Sequence, residues 1–186
     1  GDVVFRQGNI MMYCDSSYQY EKNSDMEAFS NIRIIKSDSQ SISGGQHMYY
    51  TAETRVAKIT GPEVHLISGS LNLYTTVLDY NLGTDISNYY NRGTVIDKEN
   101  KLISDIGTYF RRQNNFIFIR KVVFNDKKHT IYTDTLEYNT ETQIVKFRGP
   151  TTIVGPDGIM KADQGEYDSK AKTSNFRGRA RIVYSG

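Results

Sequence analysis

The side chains that could do chemistry are few and widely spread. His47, His65 and His129 fall at unrelated positions, and no pair has the short spacing of metal ligands or of a catalytic triad. Cys14 is the only cysteine, so it forms no internal disulfide, and no histidine signature accompanies it as a thiol nucleophile would require. We therefore interpret Cys14 as a small buried apolar residue and expect no metal site.

Acidic residues recur at a regular interval. Asp105, Asp134 and Asp163 are 29 residues apart. Two carboxylates flanking a cleft would suit glycoside hydrolysis, but a catalytic pair has no reason to recur in every repeat, whereas hydrogen bonds at turns and bulges do. A phosphate loop, a dinucleotide fingerprint and a nucleophile elbow are all missing from the sequence. On catalytic chemistry the sequence is therefore silent, and we expect no cofactor.

Composition limits the class of fold. A chain of 186 residues is long enough for one domain with a sizeable core. Its 23 Lys and Arg against 21 Asp and Glu leave a net charge of +2, which argues against a nucleic-acid partner. Fourteen Tyr, no Trp and only three Pro favour β-strands. No apolar run approaches the roughly 20 residues of a membrane-spanning helix, so we expect a soluble protein from which any signal peptide has been removed.

The elements that would position these residues form an internal repeat. An apolar residue precedes a tyrosine by seven positions in six places, and successive tyrosines are 31, 31, 29, 29 and 29 residues apart. The six pairs are Met11/Tyr18, Ile42/Tyr49, Leu73/Tyr80, Leu102/Tyr109, Ile131/Tyr138 and Met160/Tyr167. Self-similarity at this period is typical of stacked units that share one core.

Each repeat has the pattern of two strands joined by a turn. An Asn or Asp follows the tyrosine at Asn81, Asn139 and Asp168, where its side chain can close a turn. The second strand of the last repeat alternates between an apolar and a basic face. The apolar face carries Phe176, Gly178, Ala180 and Ile182, and the basic face carries Arg177, Arg179 and Arg181. Six such units give about twelve strands in a single elongated β domain over residues 1–186, which could be a piece of a longer chain.

The spacing of seven is odd, so a regular strand would place Ile131 and Tyr138 on opposite faces. We therefore predict a bulge between Asp134 and Leu136 that returns both to one face. Glycines recur at comparable positions of the second strands, where they allow a kink or a close approach of two backbones. These are Gly61, Gly93, Gly149 and Gly178, and Arg120 occupies the corresponding position of another repeat.

The basic row admits two interpretations. Arg177, Arg179 and Arg181 could contact the phosphates of an anionic ligand. The alternative is that they form the solvated face of an ordinary strand.

The repeat resembles that of OstA-like proteins, the LptA-like periplasmic lipopolysaccharide-transport family. The residues that carry the resemblance are Ile131–Asn139 (IYTDTLEYN) with Phe147–Ile153 (FRGPTTI), and Gln7–Tyr18 (QGNIMMYCDSSY) with Glu27–Ile32 (EAFSNI). The resemblance covers nearly the whole chain and is closest to the larger OstA-like proteins of Gram-negative bacteria.

This resemblance implies a folded-over β-jellyroll (β-taco) in the periplasm, associated with the outer membrane and without catalysis. It implies lipopolysaccharide or lipid A as ligand, and other bridge proteins of the same fold or a second copy, joined end to end, as partners. The inward residues that would line the lipid are Leu73, Tyr80, Phe118, Tyr138, Phe147, Ile153, Tyr167, Phe176 and Ile182. The alternatives are an ordinary closed core and an envelope scaffold that holds no lipid.

Overall fold

The computed structural model describes residues 2–36 and 39–184 as an antiparallel β protein. The chain divides into two compact units, Gly1–Gly93 and Thr94–Gly186, and each is described by itself. The predicted all-β fold class is confirmed. The single domain predicted over residues 1–186 stays a prediction.

The first unit is a meander in which neighbouring strands pair. Its strands are β1 (Val3–Gln7), β2 (Ile10–Cys14), β3 (Ser16–Gln19), β4 (Met26–Lys36), β5 (Gln40–Thr51), β6 (Val56–Ser68), β7 (Leu71–Asn81) and β8 (Ile86–Tyr89). Strand β1 pairs with β2, and both β2 and β3 pair with β4. From β4 to β8, each strand pairs with the next.

The second unit follows the same plan. Its strands are β9 (Gly93–Asp97, beginning at the boundary), β10 (Asn100–Ser104), β11 (Ile106–Phe110), β12 (Asn115–Asn125), β13 (Thr130–Asn139), β14 (Ile144–Gly155), β15 (Gly158–Asp168), β16 (Thr173–Arg177) and β17 (Arg181–Tyr184), with one 3₁₀ turn at Arg111–Gln113. Strands β10 and β11 both pair with β12, and β16 and β17 both pair with β15. The pairings β12–β13, β13–β14 and β14–β15 complete this sheet.

The prediction of about twelve strands is too low, since the described residues form seventeen. Three of the five extra strands come from interruptions that periodicity does not reveal. Two short strands lie along one long partner at β2/β3, β10/β11 and β16/β17. The breaks are a single residue at Asp15 and Asp105 and three residues at 178–180.

The predicted change of phase in the first strand of a repeat is confirmed. In β13, Ile131 and Tyr138 are both at most 1% exposed and therefore face the same side. The pairing of β13 with β14 shifts register between Tyr132 and Thr135, which is the bulge that the odd spacing requires. Comparable shifts occur in the middle of most other long strand pairs.

The predicted Asx turns are also confirmed. The side-chain oxygen of Asn81 accepts hydrogen bonds from two backbone N–H groups within its turn, at 2.9 and 3.0 Å. Asn139 does the same at 3.1 and 2.9 Å, and Asp168 at 2.9 and 2.8 Å. One polar side chain thus ends the first strand of three repeats.

Glycine serves two purposes at the recurring positions. Gly149 adopts φ +97° at the shift between β14 and β15, a conformation that L side chains rarely adopt. A Cβ on Gly61 would lie 2.4 Å from the carbonyl oxygen of Gly44, so this glycine permits a close backbone approach. At the corresponding place in β12, Arg120 and Lys121 take φ +70° and +52°, so the bulge forms without glycine.

Candidate functional site

The hydroxyls of two repeat tyrosines in the second unit, Tyr138 and Tyr167, are held by buried carboxylates. Tyr138 donates to Asp97 Oδ2 at 2.7 Å and accepts from Asn100 Nδ2 at 3.1 Å. Tyr167 donates to Asp126. Both aspartates are at most 1% exposed. The turns therefore supply acceptors for tyrosines of other repeats, 41 residues away in both cases.

The first unit uses the same pairing in two places. Tyr80 donates to Asp85 Oδ1 at 2.9 Å, and Lys36 donates to the other oxygen of that carboxylate. Tyr49 donates to Asp25 Oδ2 at 2.9 Å. These buried carboxylates are thus paired, and the tyrosines stabilise the stack of repeats as well as filling it.

These pairings shift pKa values in directions that keep the network intact. Burial and the hydrogen bond to Asp97 raise the pKa of Tyr138 far above its usual value, so its hydroxyl stays neutral. Burial alone would raise the pKa of Asp126, but hydrogen bonds from Lys172, Tyr167 and two backbone N–H groups outweigh it and lower the pKa to about 2.

The predicted lining residues have different degrees of burial. The residues at most 1% exposed are Leu73, Tyr80, Phe118, Tyr138 and Phe147, while Tyr167 and Ile153 are 4% and 6% exposed. Phe176 is half-buried and Ile182 is 55% exposed. Ile182 faces the expected side, since it pairs with Met160 and through it with buried Ile153, but its side chain remains exposed. Their role in ligand binding stays a prediction.

The interior of the second unit is filled by aromatic rings. Phe116 and Phe118 stack with centroids 4.3 Å apart, and Phe124 contacts the rings of Tyr138 and Tyr167 at 6.4 and 6.1 Å. Such ring pairs fix the geometry of a core.

An apolar pocket that the repeat pattern did not reveal lies in the first unit. It has a volume of about 60 Å³ and is lined by Phe5, Gln7, Ile10, Met12, Met26, Ile34, Met48, Tyr50, Ala57 and Leu82. We call it the methionine pocket, because three of the chain's five methionines line it. The sequence feature that could have indicated this pocket is the presence of Met12, Met26 and Met48 in the first repeats.

A second apolar pocket lies beside the last strand. It has a volume of about 270 Å³, and its lining includes His129, Ile153, Pro156, Met160 and Ile182. The exposed side chain of Ile182 forms part of this pocket.

The three arginines of the basic row differ in their surroundings. Arg179 forms an ion pair with Asp163, 2.8 Å from Nε to Oδ2, and lies in the break between β16 and β17. Arg177 and Arg181 are exposed and lie on different strands. The predicted contact of this row with phosphate stays a prediction.

In two repeats, the aspartates that recur every 29 residues form hydrogen bonds at bulges, as the sequence predicted. The backbone N–H groups of Asp105 and Asp163 donate to Arg120 and Gly178 across bulges, at 3.0 and 3.1 Å. Asp134 is exposed and accepts a hydrogen bond from Thr135.

The three histidines lie apart, and each has its own hydrogen-bond partner. His47 contacts Glu27 at 2.6 Å, His65 contacts Asn72 at 2.9 Å, and His129 contacts the Tyr167 hydroxyl at 3.1 Å. Cys14 is buried, as interpreted from the sequence, and burial raises the pKa of its thiol. Over residues 2–36 and 39–184, no group of three or more His, Cys, Asp and Glu is placed to hold a metal ion.

Comparison with known families places the chain in a class. A model of the family of OstA-like proteins matches residues 1–132 and 118–185. The chain therefore belongs to the OstA-like family, as its repeat motifs indicated.

Among solved structures, the chain is similar to LptH from Pseudomonas aeruginosa, described as the LptA-homologous periplasmic component of the lipopolysaccharide transport device. The two are 14% identical over 95% of each chain, with a TM-score of 0.32. No curated protein matches the sequence. None of the helical structure in the described residues is long and apolar enough to cross a membrane.

Proposed function

We propose that this chain is a non-enzymatic, periplasmic protein that binds lipopolysaccharide or lipid A and bridges its transport to the outer membrane. Membership of the OstA-like family supports the ligand class. The observation that carries the proposal is the methionine pocket, whose lining is apolar apart from Gln7 and the hydroxyl of Tyr50.

An acyl chain requires such a lining. Each methylene group exposed to water costs about 0.8 kcal/mol, so a chain of a dozen costs on the order of 10 kcal/mol. The pocket of about 60 Å³ is smaller than the roughly 150 Å³ of an engineered apolar cavity that holds one benzene molecule. An acyl chain must therefore displace side chains, and the unbranched methionines rearrange more easily than branched residues.

Partners of the same fold would join at strand edges. Val4 in β1 is 49% exposed, and Val183 in β17 is 60% exposed. Exposed apolar strands at an edge favour pairing with another chain. This supports end-to-end association with a second copy or with another bridge protein, and nucleic acid is not among the expected partners.

The test is photocrosslinking to lipopolysaccharide from benzoylphenylalanine placed at Met12. The matched control is Met11, the next residue of β2, whose side chain points to the opposite face. We expect lipid crosslinks from position 12 and none from position 11. A second probe at Met48, which also lines the pocket, controls for a local folding defect caused by the probe at Met12. Equal yields at all three positions, or none at saturating lipid, would refute a lipid-lined pocket.

The second candidate function is an envelope scaffold that holds no lipid. It is favoured by the second unit, where Phe118, Tyr138 and Phe147 are packed with at most 1% exposure. Probes at Phe118 and Phe147, with Arg177 as the outward control, distinguish the two. Crosslinks from Phe118 would show that lipid also enters the aromatic core, whereas silence from every interior position supports the scaffold.

A further inference from the structure

A polar groove lies on the outer face of the second unit, across β14, β15 and β16. Its volume is about 300 Å³, and its polar lining is Lys146, Arg148, Gln164, Glu166, Asn175 and Arg177. These six side chains are all exposed. The groove is separate from the buried interior that the proposed function uses.

Strand register aligns its two arginines. Arg148 pairs with Gln164, and Gln164 pairs with Arg177, so the three residues are direct neighbours on three adjacent strands. Two strand spacings separate the arginine backbones by about 9.5 Å. Side chains as long as arginine can converge over the shorter glutamine between them. In the adjacent row, Lys146, Glu166 and Asn175 are aligned in the same way.

The side chains of these two arginines are also available to bind a ligand. Arg179 is held by Asp163, whereas Arg148 and Arg177 have no hydrogen-bond or ion-pair partner in the part of the chain that the structure describes. The amides of Gln164 and Asn175 likewise have none there. The groove therefore presents two guanidinium groups and two amide donors toward one space.

We propose that this groove binds a phosphate group. Guanidinium groups bind phosphate oxygens with paired, charge-assisted hydrogen bonds, and the amide N–H groups can donate to the remaining oxygens. Glu166 is the one carboxylate in the lining, and Lys146 lies 3.8 Å from it. Three cations against one anion leave the groove with a charge of +2, which is complementary to a phosphate monoester.

The proposal does not depend on lipid binding in the interior. A phosphate group could belong to a soluble phosphorylated saccharide or to a phospholipid headgroup at a membrane surface. The same groove would recognise either, so the experiment must distinguish the source as well as test the site.

The experiment compares the whole protein with Arg148→Gln/Arg177→Gln and with Lys101→Gln/Lys161→Gln. The two control lysines are exposed on β10 and β15, and their replacement removes the same charge outside the groove. Binding is measured by calorimetry with inorganic pyrophosphate, and by sedimentation with vesicles of phosphatidylcholine containing phosphatidylglycerol or without it.

We expect the arginine pair variant to weaken binding at least tenfold and the control variant to change it less than threefold. If this difference is seen with pyrophosphate, the ligand is a soluble phosphate ester. If it is seen only with anionic vesicles, the phosphate belongs to a headgroup. Equal weakening by both variants, or no binding of either probe by the unmodified protein, would overturn the proposal. Should the arginine variant fail to fold, Gln164→Glu is expected to produce the same loss with the arginines intact.

Discussion

The two units share a strand plan but fill their interiors differently. Among the described residues, two of the seventeen buried apolar side chains in the first unit are aromatic, compared with seven of fifteen in the second. The methionine pocket lies in the first unit, whereas Phe116 and Phe118 stack in the second. The same repeat therefore supports both an adaptable interior and a closely packed one.

The contrast extends to charge. Residues 1–93 contain seven Lys and Arg and ten Asp and Glu, a balance of −3, whereas residues 94–186 contain sixteen and eleven, a balance of +5. The overall value of +2 conceals this difference. An anionic ligand is attracted to the second unit and an apolar one is accommodated by the first, so the two proposed sites fall in different units.

The largest expected effect is at the tyrosine network of the second unit. Tyr138→Asp places a buried carboxylate beside Asp97, and we expect it to lower the free energy of unfolding by more than about 3 kcal/mol. The control is Tyr132→Asp on the same strand, which is 48% exposed and should cost less than about 1 kcal/mol. Denaturant titration measures both. Similar losses would mean that Tyr138 is not part of a closed core.

A second pair of variants compares the two interiors directly. We expect Phe118→Ala to lower the free energy of unfolding by about 3 to 5 kcal/mol, because a stacked aromatic core cannot collapse around the cavity. Met48→Ala should cost about 2 kcal/mol, at the low end for methionine, because neighbouring methionines can shift into the space. The same titration gives both values. A larger loss at Met48 than at Phe118 would contradict the comparison.

Acid should weaken the second unit through Asp126. Its pKa falls from 3.8 in the unfolded chain to about 2 in the folded one, which corresponds to about 2 kcal/mol of stability. Because the folded value is the lower one, this contribution is complete above the unfolded pKa and is lost as the pH falls from about 4 toward 2. Unfolding titrations across this range should show it.

Asp126→Asn should remove that part of the pH dependence. Asp157→Asn, which changes an exposed carboxyl in a turn, should retain it. An acid response that persists unchanged in Asp126→Asn would show that other carboxylates are responsible.

Periodicity alone reveals the parts of the fold that recur. The seven-residue spacing implied a bulge near Asp134 because a strand has a period of two, and the position of Asn139 after Tyr138 implied its turn. The partner of Tyr138 could not be found in this way, because Asp97 lies 41 residues earlier and meets it only when repeats stack.

The two candidate sites could not be predicted from the sequence for a similar reason. The methionine pocket depends on side chains from several strands, and of its three methionines only Met12 and Met48 are buried. The proposed phosphate groove depends on register, which places Arg148 and Arg177 on either side of Gln164. The sequence instead grouped Arg177 with Arg179, and a break in the strand separates those two.

The smallest expected effect concerns two bulges that form without glycine, one in each unit. The side chain of Arg120, at φ +70°, has no hydrogen-bond partner among the described residues, whereas Asn31 at φ +52° donates to Asp15 at 2.8 Å. We expect Arg120→Gly to raise the free energy of unfolding by about 0.5 kcal/mol, because relief of the left-handed conformation exceeds the entropy of glycine in the unfolded chain. Asn31→Gly should lower it by about 1 kcal/mol, since the hydrogen bond is lost. Thermal unfolding of the two variants side by side measures the difference, and the opposite order would show that the Arg120 bulge is held by contacts of its side chain.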